Sequence, residues 1–151
     1  MNKKINIRKA TSEDIPDLLA LITELADFEK APNEVINTPE LMKKDGFGKN
    51  PIFDAFVAET DGQVIGMAIT YFRYSTWKGK RLYLEDLIVT EKSRGLGAGQ
   101  LLFQQCIQFG KESECNGMVW QVLDWNEPAI DFYKSYHSHL DGGWINGTLE
   151  F

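Results

Sequence analysis

A glycine-rich segment between an apolar strand and an amphipathic helix constrains the fold of this chain most. The segment Arg94-Gly95-Leu96-Gly97-Ala98-Gly99 follows the extended apolar run 82–89. It precedes a helical pattern that places four side chains on one face, namely Leu101, Leu102, Cys106 and Ile107. Glycines let the main chain approach an anion closely, and the first amides of a helix lack intrahelical partners and carry partial positive charge. The segment therefore predicts a site for a phosphate-bearing cofactor.

Two familiar phosphate loops do not match this segment. The dinucleotide fingerprint would begin at Gly95 and would need a glycine where the chain has Gln100. A Walker A loop needs Gly-Lys followed by Ser or Thr, whereas Arg81 follows Gly79-Lys80. The pattern that remains is Arg-x-x-Gly-x-Gly, which begins at Arg94. A glycine-rich hexapeptide alone is weak evidence, so a simple flexible turn stays open as an alternative at this point.

A second motif lies downstream, in the run Trp125-Asn126-Glu127-Pro128-Ala129-Ile130-Asp131-Phe132-Tyr133-Lys134. Asn126 is a favoured helix N-cap, and Pro128 suits the first helical turn. The glycine loop and this run, in this order, resemble the two signatures of the GNAT superfamily of N-acetyltransferases. Four further segments resemble its diamine (spermidine/spermine) N-acetyltransferase branch, and the similarity extends over residues 5–133. These segments are residues 22–29, 45–48, 83–86 and 125–128.

The resemblance implies an α/β (α+β) fold with a mixed, mostly antiparallel central sheet flanked by helices. In this family, acetyl-CoA is wedged between strands that splay beside the glycine loop. The strand before the loop is expected to offer main-chain groups to the pantetheine and thioester, and the loop to cradle the pyrophosphate. The cofactor-binding residues implied in this way are Leu87, Ile88, Val89, Arg94, Gly95, Leu96, Gly97, Ala98, Gly99, Gln100, Asn126, Glu127, Pro128, Ala129 and Tyr133.

The resemblance also implies direct acetyl transfer to a primary amine, with Glu85 as general base and Tyr133 as general acid. An amine with a pKa near ~10.4 must lose a proton before it attacks the thioester. Glu85 and Asp86 alternate along a strand, so they point to opposite faces of the sheet unless a bulge rotates one of them. Members of the family carry a bulge near this position, so we expect both carboxylates to border the substrate slot.

The resemblance places Phe28, Glu29, Glu85 and Asp86 in the substrate site, with Phe28 at a position where the branch usually has a tyrosine. Several acids of the polyamine-acetylating members are missing, because Ser75 and the segment 141–144 take their places. Fewer anions bind a long polycation less strongly. The resemblance implies a polyamine, a diamine or a lysine analogue such as thialysine as the acceptor, and the missing acids favour a shorter amine or a lysine analogue. The alternatives are a protein or peptide N-acetyltransferase and a CoA-binding sensor or interaction module without catalysis.

Composition sets broader limits on the function. A chain of 151 residues is expected to form a single N-acetyltransferase domain, residues 1–151. The net charge of −6 argues against nucleic-acid binding and favours a cationic substrate. No apolar run is long enough to span a membrane.

Cys106 is predicted to be a core residue, and His137 and His139 are not predicted to form a metal site. We expect a cytoplasmic homodimer with no metal and no membrane partner.

The periodicity of the chain predicts the order of its elements. A first strand is expected at 5–8, followed by a helix whose buried stripe ends at Phe28. A short helix at 39–44, a hairpin of 53–59 and 64–74 around Asp61-Gly62, and a strand at 81–89 come next. After the loop and its helix we expect a strand at 117–122, a helix at 126–136 and an extended tail at 144–151.

Overall fold

The computed structural model describes residues 4–151, which form two compact units. The first unit ends at Trp120 and the second is Gln121–Phe151. Of the helices within 4–151, none is both long and apolar enough to cross a membrane. In the same range, no three His, Cys, Asp or Glu side chains are grouped so that they could hold a metal ion.

A sheet forms the centre of the first unit. Its strands lie in chain order and are β1 (Asn6–Lys9), β2 (Asp54–Thr60), β3 (Gln63–Ser75), β4 (Gly79–Val89) and β5 (Met118–Trp120). The ladders β1–β2, β2–β3 and β3–β4 are antiparallel, and β4–β5 is parallel. The predicted mixed, mostly antiparallel sheet is confirmed. The strand predicted at 117–122 is shorter, because its pairing with β4 ends at Trp120.

Three helices flank this sheet, namely α1 (Ile15–Phe28), α2 (Pro39–Phe47) and α3 (Ala98–Glu112). Thr38 caps α2 by accepting a hydrogen bond of 3.1 Å from the Leu41 amide. Before α1, the buried Asp14 accepts a bond of 2.7 Å from the Thr11 amide. Asp14 also accepts two bonds from the Arg8 guanidinium, which tie the start of α1 to β1. The short helix predicted at 39–44 is confirmed as α2, and it extends to Phe47.

The β2–β3 hairpin turns at Asp61-Gly62, as predicted. Both residues adopt positive φ, 52° at Asp61 and 75° at Gly62. This conformation twists a two-residue turn in the sense that the flanking strands need. The turn sets the register in which β3 pairs with β2, and β4 pairs with the other edge of β3.

The core lies on both faces of the sheet. On one face, Leu18 of α1 packs with Met67 and Ile69 of β3. On the other face, the rings of Phe56 and Phe72 contact Phe109 of α3. Cys106 is fully buried, as predicted.

Two details of the predicted helix faces are wrong. Leu101 is exposed, and the buried face of α3 is formed instead by Ala98, Leu102, Phe103, Cys106 and Gly110. Phe28, predicted to end the buried stripe of α1, is 41% exposed. Leu21 belongs to the core in its place.

The second unit contains α4 (Glu127–Lys134). The Asn126 side chain caps it by accepting a hydrogen bond of 3.3 Å from the Ala129 amide, which confirms the predicted cap. The helix ends two residues before the predicted end at 136. Residues 144–151 form no helix or strand and are exposed, so the extended tail has no strand partner within the described chain.

Candidate active site

A bulge in β4 lies at the centre of the candidate site. Asp86 pairs with Ile69 of β3, whereas Leu84 pairs with Thr70, so Glu85 is an extra residue with no partner across the ladder. An extra residue rotates the side chains that follow it relative to strict alternation. The bulge therefore removes the expectation that Glu85 and Asp86 point to opposite faces.

The charges of Glu85 and Asp86 affect the acidity of tyrosines on one face of the sheet, Tyr71 and Tyr83. These tyrosines pair across β3 and β4, and their ring centroids are 5.1 Å apart. Burial, followed by the negative charge of Glu85, raises the pKa of Tyr71 and of Tyr83. Asp86 adds a smaller effect of its charge at Tyr83. The bulged acids thus lie beside a pair of aromatic rings.

Asp86 has the most strongly altered acidity at this site. Its side chain is half-buried, whereas Glu85 is exposed. Burial, together with the charges of Glu85 and then Glu29, raises the pKa of Asp86 to about 7. A carboxylate with a pKa near neutrality can accept and release a proton under ordinary conditions. This makes Asp86 a candidate base, a role for which the sequence predicted Glu85 and not Asp86.

Glu29 enters the site from the end of α1. It is the C-cap residue of this helix, and partial desolvation raises its pKa. The last turn of α1 contains no basic residue, although a cation is the favourable charge at a helix C-terminus. Within residues 4–151, Glu29, Glu85 and Asp86 form no ion pair with a basic side chain, so this acidic group suits a bound cation.

Phe28 and Arg94 lie next to each other at the edge of this group. The Arg94 guanidinium is 5.9 Å from the centroid of the Phe28 ring, and Arg94 Nε donates a hydrogen bond of 3.0 Å to the Val89 carbonyl. Thr90 Oγ1 donates a further bond of 2.7 Å to Glu24 Oε1 of α1. These contacts fix the end of β4, and hence the start of the glycine loop, against α1.

The loop and the start of α3 have the features of an anion site. Gly95 and Gly97 adopt φ values of 83° and 88°, and a Cβ at either position would meet no atom within 4 Å. The first hydrogen bond of α3 runs from the Leu101 amide to the Gly97 carbonyl, so three amides precede it, those of Ala98, Gly99 and Gln100. The first turn of α3 carries no acid, whereas α1, α2 and α4 each have one there. The positive end of α3 is therefore left uncompensated.

The open edge of β4 extends this site. The parallel ladder with β5 ends at the pair Leu84 and Trp120, so it does not continue along Leu87, Ile88 and Val89. The Ile88 side chain is buried in the core and Leu87 and Val89 are half-buried, which leaves the main chain as the part that can contact a ligand. An open strand edge beside an uncompensated helix N-terminus fits the extended, pyrophosphate-bearing shape of acetyl-CoA.

The remaining predicted residues lie in the second unit. Asn126, Glu127, Pro128 and Ala129 form the cap and first turn of α4. Tyr133 is buried on α4, its ring contacts Phe132, and its carbonyl accepts a hydrogen bond of 2.7 Å from Ser138 Oγ. These contacts fix the orientation of the last turn of α4, which carries the predicted general acid.

Comparison with known proteins gives a consistent assignment. Residues 19–137 match the sequence model of the acetyltransferase (GNAT) family. A thialysine N-epsilon-acetyltransferase from Mus musculus is 38% identical over 155 residues, which cover 95% of this chain and 91% of that protein. A spermidine/spermine N(1)-acetyltransferase-like protein from Homo sapiens is 38% identical over 136 residues, covering 85% of this chain and 20% of that protein.

Solved structures share the fold at lower sequence identity. An aminoglycoside acetyltransferase from an uncultured soil metagenomic sample, in complex with trehalose, superposes with a TM-score of 0.80 at 23% identity, covering 97% of each chain. An aminoglycoside N-acetyltransferase in complex with CoA gives a TM-score of 0.81 at 15% identity, covering 100% of this chain and 98% of the other.

Proposed function

The chain belongs to the acetyltransferase (GNAT) family, and we propose that it transfers an acetyl group from acetyl-CoA directly to a primary amine of a small cationic substrate. A lysine analogue such as thialysine is the favoured acceptor, in keeping with the names of its relatives at 37–38% identity. The observation that carries the proposal is the bulge that leaves Glu85 and Asp86 beside Tyr71 and Tyr83, with the pKa of Asp86 raised to about 7.

Acetyl-CoA, when bound, supplies a thioester whose acetyl group passes to the amine. Its pyrophosphate suits the amides of residues 95–100, where two glycines at positive φ leave the main chain open. Arg94 adds a positive charge at the start of the loop, and Leu87, Ile88 and Val89 offer main-chain groups to the pantetheine. The helix start at 126–129 is proposed to contact the rest of the CoA arm.

A carboxylate of the bulge removes the proton of the amine. The sequence predicts Glu85 for this role. The structure adds Asp86 as a second candidate, because the pKa of Asp86 is close to neutrality. A base is effective when its pKa lies near the working pH. We propose that Asp86 accepts the proton and that the charge of Glu85 sustains the raised pKa of Asp86.

Tyr133 is proposed as the group that donates a proton to the leaving sulfur. A phenol is a weak acid that can give a proton to a thiolate in a site that excludes water. Tyr133 matches the tyrosine of the family signature and is buried on α4. With a proton acceptor and a donor provided separately, the transfer needs no acyl-enzyme.

Glu29 and Phe28 are proposed to bind the substrate together with Glu85 and Asp86. Three carboxylates favour a cation, and an aromatic ring that is 41% exposed offers it an apolar surface. The net charge of −6 also favours a cationic small molecule over nucleic acid.

We further propose that the chain acts as one N-acetyltransferase domain and assembles as a cytoplasmic homodimer. The match to the family model extends from residue 19 to residue 137 and so spans both units.

Four exposed apolar residues of the tail support self-association, namely Trp144, Ile145, Leu149 and Phe151. Cys106 and Cys115 are free thiols, in keeping with a reducing compartment. Light scattering of the purified protein tests the dimer.

Release of the CoA thiol from acetyl-CoA tests the proposed function. The acceptors are spermidine, putrescine, lysine, thialysine and a basic peptide, each with mass analysis of the acetylated product. Turnover selective for the small amines supports the proposal. Selective turnover of the peptide would favour protein acetylation, and acetyl-CoA binding by calorimetry without turnover of any acceptor would favour a binding module.

A further inference from the structure

Arg73 is a cation on the same face of β3 as the acidic site. Side chains alternate along a strand, so Arg73 shares a face with Tyr71 and Ile69, and Ile69 pairs with Asp86. The Arg73 guanidinium carbon lies 5.4 Å from the centroid of the Tyr83 ring. The Tyr71 and Tyr83 rings therefore lie between a guanidinium at one end and the carboxylates of Glu85 and Asp86 at the other.

Arg73 has no carboxylate partner in the described part of the chain. The ion pairs present in residues 4–151 involve other cations, Arg8 and Lys9. Across the ladder Arg73 faces a second arginine, Arg81, whose own guanidinium donates a hydrogen bond of 3.0 Å to Asn116 Oδ1. Two like charges directly opposite each other are unfavourable in an antiparallel pair. Arg73 thus remains exposed and uncompensated beside the candidate site.

This arrangement has consequences for the acceptor, which rest on the proposed function. A diamine or polyamine carries a positive charge at its distal end, so Arg73 would repel that end. An amino acid with a side-chain amine carries a carboxylate at that end, and a guanidinium binds a carboxylate through charge-assisted hydrogen bonds. Arg73 lies four residues along β3 from Ile69, the partner of Asp86, or about 13 Å at the usual rise of a strand. The Arg73 side chain extends into that interval, because its guanidinium carbon lies over the Tyr83 ring, and the shortened interval suits an acceptor the size of lysine.

We propose that Arg73 binds the carboxylate of an amino-acid acceptor whose side-chain amine lies at Glu85 and Asp86. Arg73 is then a specificity-determining residue that selects amino acids over diamines of the same length. The tyrosine pair forms the apolar floor between the two charged ends.

Matched acceptors isolate the contribution of the carboxylate. L-lysine and cadaverine have the same amine chain and differ by one carboxylate, as do thialysine and its decarboxylated diamine. We expect the wild-type protein to have a higher kcat/KM for the amino acid of each pair. In Arg73→Gln this preference should fall by about tenfold or more, through a higher KM for the amino acid and a nearly unchanged kcat. Arg73→Lys should restore part of it.

Lys78→Gln is the control variant. It removes one positive charge from an exposed residue of the loop that joins β3 and β4. The KM for acetyl-CoA and the thermal midpoint, measured for every variant, report whether the fold is intact. An unchanged amino-acid preference in Arg73→Gln, or an equal loss in Lys78→Gln, would overturn the inference while leaving the acetyltransferase proposal intact. A wild-type protein that acetylates no amine of either pair would contradict both.

Discussion

Glu29, at the end of α1, lies close enough to Asp86 of β4 for its negative charge to raise the pKa of Asp86. The two residues come from distant parts of the chain, and the fold brings their like charges together. The last turn of α1 contains no basic residue that would offset these charges. Such an arrangement costs stability and is typical of sites adapted to a ligand. The relationship connects the two segments that the sequence assigned to the substrate.

Replacing Glu29 should weaken the binding of a cationic acceptor. In Glu29→Gln, we expect the KM of the acceptor to rise by about two- to fivefold, because an exposed charge contributes modestly. Asp27→Asn is the matched control, since Asp27 is an exposed acid in the same last turn of α1. Steady-state rates with lysine or thialysine measure the effect. An equal increase in both variants would mean that the general field of the helix end, rather than Glu29 itself, attracts the substrate.

Asp86→Asn should stabilise the protein at alkaline pH. Because the pKa of Asp86 rises from 3.8 to about 7 on folding, the folded state binds this proton more tightly than the unfolded state. The contribution of Asp86 is therefore most favourable below its ordinary pKa and is lost as the pH rises through about 7. We expect Asp86→Asn to raise the free energy of unfolding by about 2–4 kcal/mol at alkaline pH and to change it little in acid.

Urea unfolding of Asp86→Asn and of the wild-type protein, each at an acidic and at an alkaline pH, measures this difference. Glu85→Gln, which removes one of the charges that raise the pKa of Asp86, should give a smaller stabilisation of the same sign. A difference between Asp86→Asn and the wild type that does not depend on pH would show that the acidity of Asp86 is not altered by folding.

A side chain at Gly97 should impair cofactor binding. Gly97 has a φ of 88°, so Gly97→Ala strains the backbone by about 1–2 kcal/mol and displaces the start of α3. We expect the KM for acetyl-CoA to rise at least about tenfold, because the amides lose their alignment. Gly62→Ala is the control, since Gly62 has a φ of 75° in the β2–β3 turn and equally open surroundings. Similar thermal destabilisation with a KM effect only at Gly97 is expected, and equal KM effects would refute the loop assignment.

Tyr133→Phe should separate chemistry from binding. Removing the phenolic hydroxyl should lower kcat by about a hundredfold or more if it protonates the leaving sulfur. The affinity for CoA, measured by calorimetry, should stay nearly the same because the ring is retained. Tyr74→Phe, at a position that is 75% exposed on β3, serves as the control. Unchanged kcat in Tyr133→Phe would leave Tyr133 with a packing role only.

The sequence predicted the features that depend on local patterns. The Asp61-Gly62 hairpin, the glycine loop before α3 and the Asn126 cap each follow from short-range conformational preferences, and all three are present. Features that depend on pairing were harder to predict. The bulge at Glu85 exists only because β3 and β4 come into register on both sides of it, and one strand alone does not reveal that register.

Tertiary contacts also decided which apolar residues are buried. Phe28 fits the helical stripe of α1, yet it lies beyond the last core contact of the helix and faces Arg94 instead. Tyr71, Arg73 and Tyr83 are site residues that the sequence did not predict. The only available signal was that Tyr71 and Arg73 alternate on one strand and that Tyr83 lies two positions before Glu85 on the next.

The pH dependence of kcat/KM for lysine or thialysine in the wild-type protein, Asp86→Asn and Glu85→Gln tests the assignment of the base most directly. We predict that the wild-type rate falls as Asp86 is protonated below about pH 7, and that Asp86→Asn loses about a hundredfold or more. Glu85→Gln should keep this acid limb and shift it to lower pH, because the charge that raises the pKa of Asp86 is gone. If Glu85→Gln loses the activity and Asp86→Asn keeps the wild-type profile, Glu85 is the base and the assignment of Asp86 is wrong.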